Sequence, residues 1–574
     1  MHSQWEILPG DEQIEKELAQ RLGVSPLLAR LLYNRGLRKV EEARRFLEPS
    51  LGDISDPFRL AGMERAVERL ITAWQRREKV MLYGDYDVDG TSATAMTQLF
   101  FQALGWPVEF YIPSRLNEGY GLHTTAIAQI AARGFKLLVA LDCGISDFEA
   151  IRCAQRLGVE VIVVDHHQPG SALPEACAII DPRQSHCGLQ DQEPAAVGVA
   201  FYLIMALRSR LRALGAFASL AEPNLRQFLD LVALGTVADM VPLVGDNRIF
   251  VKFGLQELER PRRKGLAALK EAAGLGPGKL SAMQLAFRLA PRLNAAGRMG
   301  QAERAVRLLT TDSYREALEL ARELDEANRE RQSLVESMLR QALDDARSQR
   351  EDQEPALVLW REGWHPGVAG IVAAKLVENF GCPAVVIAME GDTGKGSVRA
   401  PEGVHVHQAL VSCAEHLLAL GGHSSAGGLK ISSHRLTDFR RSFCLAVAKQ
   451  LGGQPPKRLL RLDAETPLSY WNRDVVEELE RLAPHGLSNP EPVFLARSVR
   501  VESARPVGNG SAKHLKLTLI EKETAYDAIA FDQSDRYGKL ASRMDLAYTP
   551  FIDDWNGAGA IRFRIREMRF PKEG

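Results

Sequence analysis

No stretch of this 574-residue chain approaches the roughly 18 consecutive apolar residues of a membrane-spanning helix, so nothing in it reads as a transmembrane segment. The opening MHSQWEILPGDEQIEKELAQ lacks a basic n-region and an apolar h-region, and a cytoplasmic protein is the expectation. Cysteine pairing is missing too: the seven cysteines show no CxxC spacing, and an odd count leaves one over, which favours reduced thiols. Nor is there an excess of charge of one sign. Lys and Arg total 72 against 73 Asp and Glu, a net charge of −1, so no global field draws the chain to nucleic acid or to an anionic membrane. Any polyanion must be met by a local basic site. With 25% charged and 45% hydrophobic residues, the composition excludes fibrous and disordered classes. The length suggests three or four domains of about 150 residues.

The hydrophobic pattern divides the chain. Residues 1–77 read as an N-terminal segment of short helices, as in SPLLARLLYNRG and EEARRFLEP. From residue 79, short apolar runs alternate with amphipathic stretches (VMLYG, VEFYIP, KLLVALDCG, VEVIVVDHH), the pattern of βαβ units and a parallel sheet. This first α/β domain is assigned to 78–312. Residues 313–350 contain no Gly or Pro and are charged on most faces, which predicts a long exposed connecting helix, a rigid spacer between two lobes. A second α/β domain follows at 351–451. After the linker GGQPPK, residues 458–574 alternate in short strands that predict a small barrel or sandwich.

The chemistry concentrates at strand ends. Tyr83-Gly84-Asp85-Tyr86-Asp87-Val88-Asp89-Gly90 follows a buried strand and precedes a helix, where open α/β sheets form their ligand crevice. One Asp suffices to cap a helix; three alternating carboxylates repel one another unless a cation neutralises them. The next strand ends at Asp142, and the one after runs into Asp165-His166-His167. Imidazole beside carboxylate suits a first-row divalent metal such as Mn²⁺ better than Ca²⁺. Asp239, in ALGTVADMVPL, follows another apolar run and is placed to close the same site.

The second lobe offers anion-binding types. GGHSSAGG at 421–428 sets His423 beside Gly422, where backbone N–H groups and an imidazole can reach an anion, although a tight turn alone accounts for the glycines. Ser397 and Arg399 in KGSVR supply a hydroxyl and a guanidinium suited to a terminal phosphate. Arg115 and Asn117, then Arg292, Asn294 and Arg298, add charge and amide donors, each Arg being by itself as compatible with a solvated surface. Tyr120 and Trp364 are candidates to stack on bases or simply to pack.

The spacing of GDYDVDG, ALDCG, VVDHH and GTVADMVPL resembles the four motifs of the DHH phosphoesterase superfamily. IPSRLNEGYGL, APRLNAAGRMG, WHPGVAGIVAAKL, KGSVR and GGHSSAGG, in that order, narrow the resemblance to the RecJ family of single-strand-specific 5′→3′ DNA exonucleases. The resemblance implies a DHH domain, a DHHA1-like domain and a C-terminal OB-like barrel. It implies that Asp85, Asp87, Asp89, Asp142, His166 and Asp239 hold two Mn²⁺ or Mg²⁺ ions. His167, Asp89 and Asp165 are its catalytic candidates, His167 either ligating or positioning the scissile phosphate. Many superfamily members carry a His just upstream of the first Asp pair, whereas this chain has Tyr83 and Asp85 there. The implied activity is two-metal hydrolysis of single-stranded DNA to 5′-mononucleotides in recombination and repair. A single-stranded-DNA-binding protein and a helicase are the implied partners, and a monomer the implied state. The rivals are a DHH phosphodiesterase acting on short oligonucleotides or cyclic dinucleotides, and a non-catalytic DHH-derived replication scaffold.

Overall fold

A computed structural model of the chain describes residues 3–570 except 116, 277, 352–353, 453–458, 509–512 and 554–558. The N-terminal segment does not hold together as one helical unit. Gln4–Ile7 is a strand (β1) paired in parallel with Leu459–Leu462, which no local pattern announces because its partner lies at the other end of the chain. Helices Glu12–Leu22 and Pro26–Asn34 follow, their first-turn N–H groups accepted by the side chains of Asp11 and Ser25. With Val40–Leu47 they bury Leu18, Leu28, Leu32 and Phe46 in one core with Leu468, Trp471, Phe494 and Tyr548 of the C-terminal domain. Helix Met63–Gln75 instead buries Met63, Val67 and Leu70 beneath the first large sheet.

That sheet comprises β2 (Val80–Gly84), β3 (Val108–Tyr111), β4 (Leu137–Leu141), β5 (Glu160–Val164) and β6 (Ala178–Ile180), in the order β3-β2-β4-β5-β6 with every pair parallel. β2 and β4 are buried at every residue because both faces are covered. Leu82 and Val139 enter the core on one side, Met81 and Leu138 the core on the other.

The connecting helix runs from Tyr314 to Glu351, about 57 Å at 1.5 Å per residue. It is not exposed all round, as the sequence suggested. Ala317, Leu320, Ala321 and Leu324 pack into the first lobe, and Val335, Met338, Ala342 and Ala346 into the second. The stripe is easy to miss because half of it is alanine. The second lobe holds β7 (Leu357–Glu362), β8 (Ala384–Glu390), β9 (Thr393–Arg399), β10 (Leu417–Gly422) and β11 (Ala426–Ser432), in the order β10-β11-β9-β8-β7. Helices Pro366–Phe380 and Leu436–Leu451 cover its two faces. Gly452 ends the latter helix at φ 57°, and the rest of the expected linker at 452–457 lies outside the described residues.

In the C-terminal domain, β12 (Leu459–Leu462) and β13 (Ala464–Glu465) lead into β14 (Phe494–Val507), β15 (His514–Glu521), β16 (Thr524–Ala530), β17 (Arg543–Asp553) and β18 (Ala560–Arg569). The ring β14-β15-β16-β18-β17 closes through pairing of β17 with β14, giving a five-stranded barrel.

One buried side chain joins barrel, N-terminal helices and first lobe. Arg248, 1% exposed, donates from Nε to Phe46 O (2.9 Å), from Nη1 to Leu482 O (2.8 Å) and from Nη2 to Arg481 O (3.1 Å), and lies 3.8 Å over the Phe46 ring. Burial, then Arg35, pushes it down to about 9. Arg35 is itself held by Asn489 Oδ1 and Pro490 O, both at 2.7 Å. Arg248→Ala removes the donor from Phe46 O and Arg481 O and leaves Leu482 O only its bond from Asn489 Nδ2 (2.8 Å). We expect a loss of about 3 kcal/mol or more, read as faster amide exchange across residues 12–47, whereas unchanged protection would show that the joint does not depend on the guanidinium. His485 beside it is pushed down to about 4 by burial and by Arg35, with Arg248 adding to the effect and Glu491 opposing it. The unfolded chain therefore takes up this proton first. The contribution of His485 to stability is complete above about pH 6.5 and declines as the pH falls towards about 4. Urea titrations should show wild type losing stability across that window relative to His485→Gln, and parallel curves would contradict it.

Candidate metal centre

The parallel ladder runs one residue past each strand, and this aligns the acids. Asp85 N donates to Leu141 O (3.2 Å), Asp142 N to Val164 O (2.9 Å) and Asp165 N to Ile180 O (3.0 Å). Three successive strand ends thus deliver their carboxylates in a row along one edge. Asp142 turns there at φ 67°, a left-handed conformation that Asp and Asn tolerate better than most side chains. Gly90 is required by the close fold of the first turn, since a Cβ on it would lie 2.7 Å from Asp85.

Each acid has a distinct local task. Asp87 Oδ1 caps helix Val88–Ala103 by accepting from Gly90 N (3.0 Å). Asp89, one turn in, accepts from Ala196 N (2.6 Å) and Val197 N (2.9 Å), the N-terminus of helix Ala196–Ala213. Asp239 sits at the C-terminus of helix Leu229–Ala238. Asp165, 0% exposed, is turned inward: it accepts from Ile145 N, His166 N and His167 N and pairs with His167 Nδ1 at 2.7 Å. It therefore orients the turn and the imidazole.

The electrostatics are those of a site missing positive charge. Burial and neighbouring carboxylates raise Asp85, Asp89 and Asp142 well above the usual range, and burial with Asp87 lifts Asp239 to about 7. Burial, then His167, pushes His166 down to about 3, so its ring is neutral. His166 Nε2 lies 3.4 Å from Asp142, 3.6 Å from Asp239 and 3.9 Å from Asp89. It is a buried atom with no hydrogen-bond partner, and so are Asp85 Oδ1 and Asp142 Oδ1. Each such atom costs about 1–3 kcal/mol if left unsatisfied. Among the described residues, three groups offer atoms within 4.8 Å of one another: Asp85, Asp87 and Asp142; Asp142, His166 and His167; Asp89, His166 and Asp239. Divalent cations fit this donor set of oxygens and neutral imidazole. His167 differs: although burial opposes its charge, the hydrogen bond to Asp165 lifts it to about 9. Tyr120 donates to Asp142 O (3.0 Å), touches His167 Nδ1 and remains 46% exposed.

Beside Asp85 lies a cationic pocket of about 140 Å³, lined by Arg115, Pro366, Gly367, Lys395, Gly396 and Ser397. Arg115 sits over the Tyr86 ring at 5.0 Å. Arg298 crosses between lobes to donate to Gly367 O (2.8 Å), and burial followed by Arg115, Arg331 and Arg399 pushes it down to about 9. Arg399 is likewise lowered by burial and Arg115. A Cβ on Gly370 would lie 3.1 Å from Arg399 Nη2 and 3.5 Å from Ser397 Oγ, so that helix packs directly against both. Gly422 adopts φ 139°, where a Cβ would meet Ala426 O at 2.4 Å, and the turn it permits brings the His423 ring to 6.1 Å from that of His167. The second lobe thereby touches the metal-site residues of the first.

One expectation is corrected, and for Trp364 one of two alternatives is decided. Arg292 does not face this cleft: it is bound to Asp325 of the connecting helix (2.9 Å) and to the carbonyl of Arg288, bracing helix Ala290–Arg298. Trp364 is buried and donates to Gln341 Oε1 (2.8 Å), so it packs. Asn294 accepts from Val88 N (3.3 Å), supporting the Asp-rich turn. Arg331, Lys395 and Arg183 were not singled out. Lys395 stood inside KGSVR, whereas Arg331 was one of many charges on a charged helix and carried no signal.

Family profiles match three regions: the DHH family N-terminal domain over residues 79–236, the DHHA1 domain over 353–449 and the RecJ OB domain over 462–567. The chain is 36% identical to the single-stranded-DNA-specific exonuclease RecJ of Bacillus subtilis over 98% of this chain and 70% of that one. It is 37% identical to the Escherichia coli protein of the same description over 94% and 95%. The crystal structure of Thermus thermophilus RecJ in complex with Mn²⁺ superposes with a TM-score of 0.85 at 32% identity, covering 99% of this chain and 80% of that one, and its Mg²⁺ complex with 0.77, covering 99% and 79%.

Asp142→Asn keeps the left-handed turn while removing one charge from the cluster. In protein stripped of divalent ions we expect it to be more stable than wild type, read as a higher urea midpoint, because the carboxylates beside Asp142 lose one repelling neighbour. Added Mn²⁺ should stabilise wild type and leave the variant nearly unmoved. A variant less stable than wild type in chelator would show that repulsion does not govern the cluster.

Proposed function

The chain belongs to the RecJ family of single-stranded-DNA-specific exonucleases, with DHH, DHHA1 and OB domains in that order, and we propose that it degrades single-stranded DNA from the 5′ end to mononucleotides. The observation that carries the reading is the neutral His166, its unpartnered Nε2 held among Asp89, Asp142 and Asp239, in a structure that also offers a pocket lined by Arg115, Lys395 and Ser397. The cofactor is Mn²⁺ or Mg²⁺, as in the metal complexes of the Thermus thermophilus relative. Asp85, Asp87, Asp89, Asp142, His166 and Asp239 would hold two ions, with His167 at their margin. Such ions, when bound, supply an acidified water and neutralise charge on the leaving oxygen.

The side chains of the chain do the rest. Asp165 locks the His167 ring through Nδ1, which leaves the opposite N–H of the imidazolium to donate to a non-bridging oxygen of the scissile phosphate. Tyr120 fixes the Asp142 turn and keeps an exposed ring for a base. Arg115, Arg298, Ser397 and Arg399 take the terminal 5′-phosphate, which carries more charge than an internal diester. The bond from phosphorus to the first nucleotide's O3′ breaks, water oxygen joins the phosphorus, and the released 3′-oxygen takes a proton. The closed barrel, an OB-like fold, holds the trailing strand. A cytoplasmic monomer working in recombination and repair beside a single-stranded-DNA-binding protein and a helicase belongs to the same proposal.

The test is hydrolysis of 5′- and 3′-labelled single-stranded DNA, duplex DNA and short RNA with Mn²⁺ or Mg²⁺, where mononucleotides should appear from the 5′ end of single strands. His166→Ala should abolish turnover while leaving the protein folded; near-native rates at saturating Mn²⁺ would refute the metal site. Arg399→Ala should weaken 5′-phosphorylated strands about tenfold or more and 5′-hydroxyl strands less, with Lys restoring only part because it lacks the planar fork. An equal loss on both substrates would move end recognition elsewhere.

A further inference from the structure

Sheet order places β6 at the edge beside β5, so its end delivers one more turn to the same rim, Asp181-Pro182-Arg183, which has no part in the reaction as described. The turn is pinned from inside. Asp181, 0% exposed, accepts from the backbone N–H of Arg183 at 2.7 Å, and the Gln184 amide donates to Ile179 O (3.1 Å) and Asp181 O (3.2 Å). The Arg183 side chain stays 37% exposed, and its ion-pair partner among the described residues, Glu193, lies at 3.7 Å, beyond hydrogen-bond length. Asp165 N donates to Ile180 O (3.0 Å), so this turn stands directly beside the one that carries His166, at the end of the row away from the β2 turn of Asp85 and Asp87. Arg115, which lines the end pocket, sits over the Tyr86 ring of that β2 turn at 5.0 Å.

The acids therefore lie between two cationic groups, one a pocket for a strand end, the other a single guanidinium on a rigid turn. A strand whose 5′ end lies in the pocket and whose first linkage lies over the acids must leave past His166 and Asp239. Asp239 and Glu193 there would repel a diester if no cation stood among them. We propose that Arg183 holds the first backbone phosphate on the 3′ side of the linkage being cut. It is a positioning residue, gripping the strand beyond the cleaved bond so that the scissile phosphate cannot slide. The assignment rests on the end-binding reading above, which sets the direction of the strand.

The test uses full-length protein and 5′-phosphorylated single strands bearing one neutral methylphosphonate at a chosen linkage. Binding is measured in chelator, where hydrolysis stops, and single-turnover cleavage with Mn²⁺. Wild type should lose about tenfold in affinity when the second linkage is neutral. Arg183→Gln should bind the unmodified strand about tenfold more weakly, show no further loss at that linkage, and keep its losses at others. Its salt dependence should flatten by about 0.7 in log–log slope, one phosphate contact fewer. Arg183→Lys, keeping charge on the same turn, should retain the dependence on the second linkage. If Arg183→Gln still responds to that linkage as wild type does, or if the coupling appears at the terminal phosphate, the assignment is overturned. A parallel comparison of 5′-phosphate and 5′-hydroxyl strands separates the two readings. Loss of wild-type preference there faults the end pocket, while intact preference without coupling at the second linkage faults Arg183 alone.

Discussion

Buried carboxylates facing one another are costly, and this protein gathers Asp85, Asp89 and Asp142 at 4% exposure or less, with Asp89 and Asp142 beside one neutral imidazole. The surrounding structure is arranged to make that tolerable. A sheet covered on both faces supplies rigid strand ends, and backbone hydrogen bonds donated to the next strand hold Asp85 and Asp142 in line. The N-terminus of helix Ala196–Ala213 offsets part of the charge on Asp89, and Asp165, held to about 2 largely by its bond to His167, stays ionised as the anchor of the turn. The remaining deficit is left for cations to fill, so affinity for metal is built from repulsion the fold has already overcome.

The cleft between the lobes repeats the device with the sign reversed. Burial and neighbouring guanidinium groups depress Arg298 and Arg399, with Arg115 acting on both, and Arg298 is tied to the carbonyl of Gly367 across the cleft. A cluster of cations is as unfavourable as a cluster of acids until an anion arrives. Setting the two side by side produces a place where metal cations relieve the acids and a phosphate group the guanidinium groups, and the connecting helix, packed into each lobe by its narrow apolar stripe, fixes their separation.

The barrel and the N-terminal helices form the third body, and their attachment is polar. Arg248 binds carbonyls of both, and Leu243 N donates to Leu487 O at 2.8 Å only a few residues after Asp239. The segment that ends the metal site thus continues directly into the joint holding the barrel, so the strand-holding domain and the catalytic edge share one piece of backbone.

What the sequence determined by itself was everything set by near neighbours. Asp85, Asp87 and Asp89 alternate in a turn whose strand and helix flank it, and Asp142 and Asp165-His166-His167 close similar runs, so their convergence at one sheet edge followed from the parallel pattern alone. Two α/β segments and a terminal barrel or sandwich were legible for the same reason, while their naming as DHH, DHHA1 and OB-like came from the family resemblance. The tertiary structure decided what long side chains and distant segments do. β1 has no meaning without Leu459–Leu462; Arg292 turned to Asp325, Asp165 turned to His167, and Arg331 came beside Arg298 without any local sign. A strand-end turn is specified by residues one to three positions away, and its consequences are written where it occurs. A guanidinium on a flexible stem takes whichever carboxylate, carbonyl or phosphate the packing of remote elements sets within reach, and that choice exists only once the chain has folded.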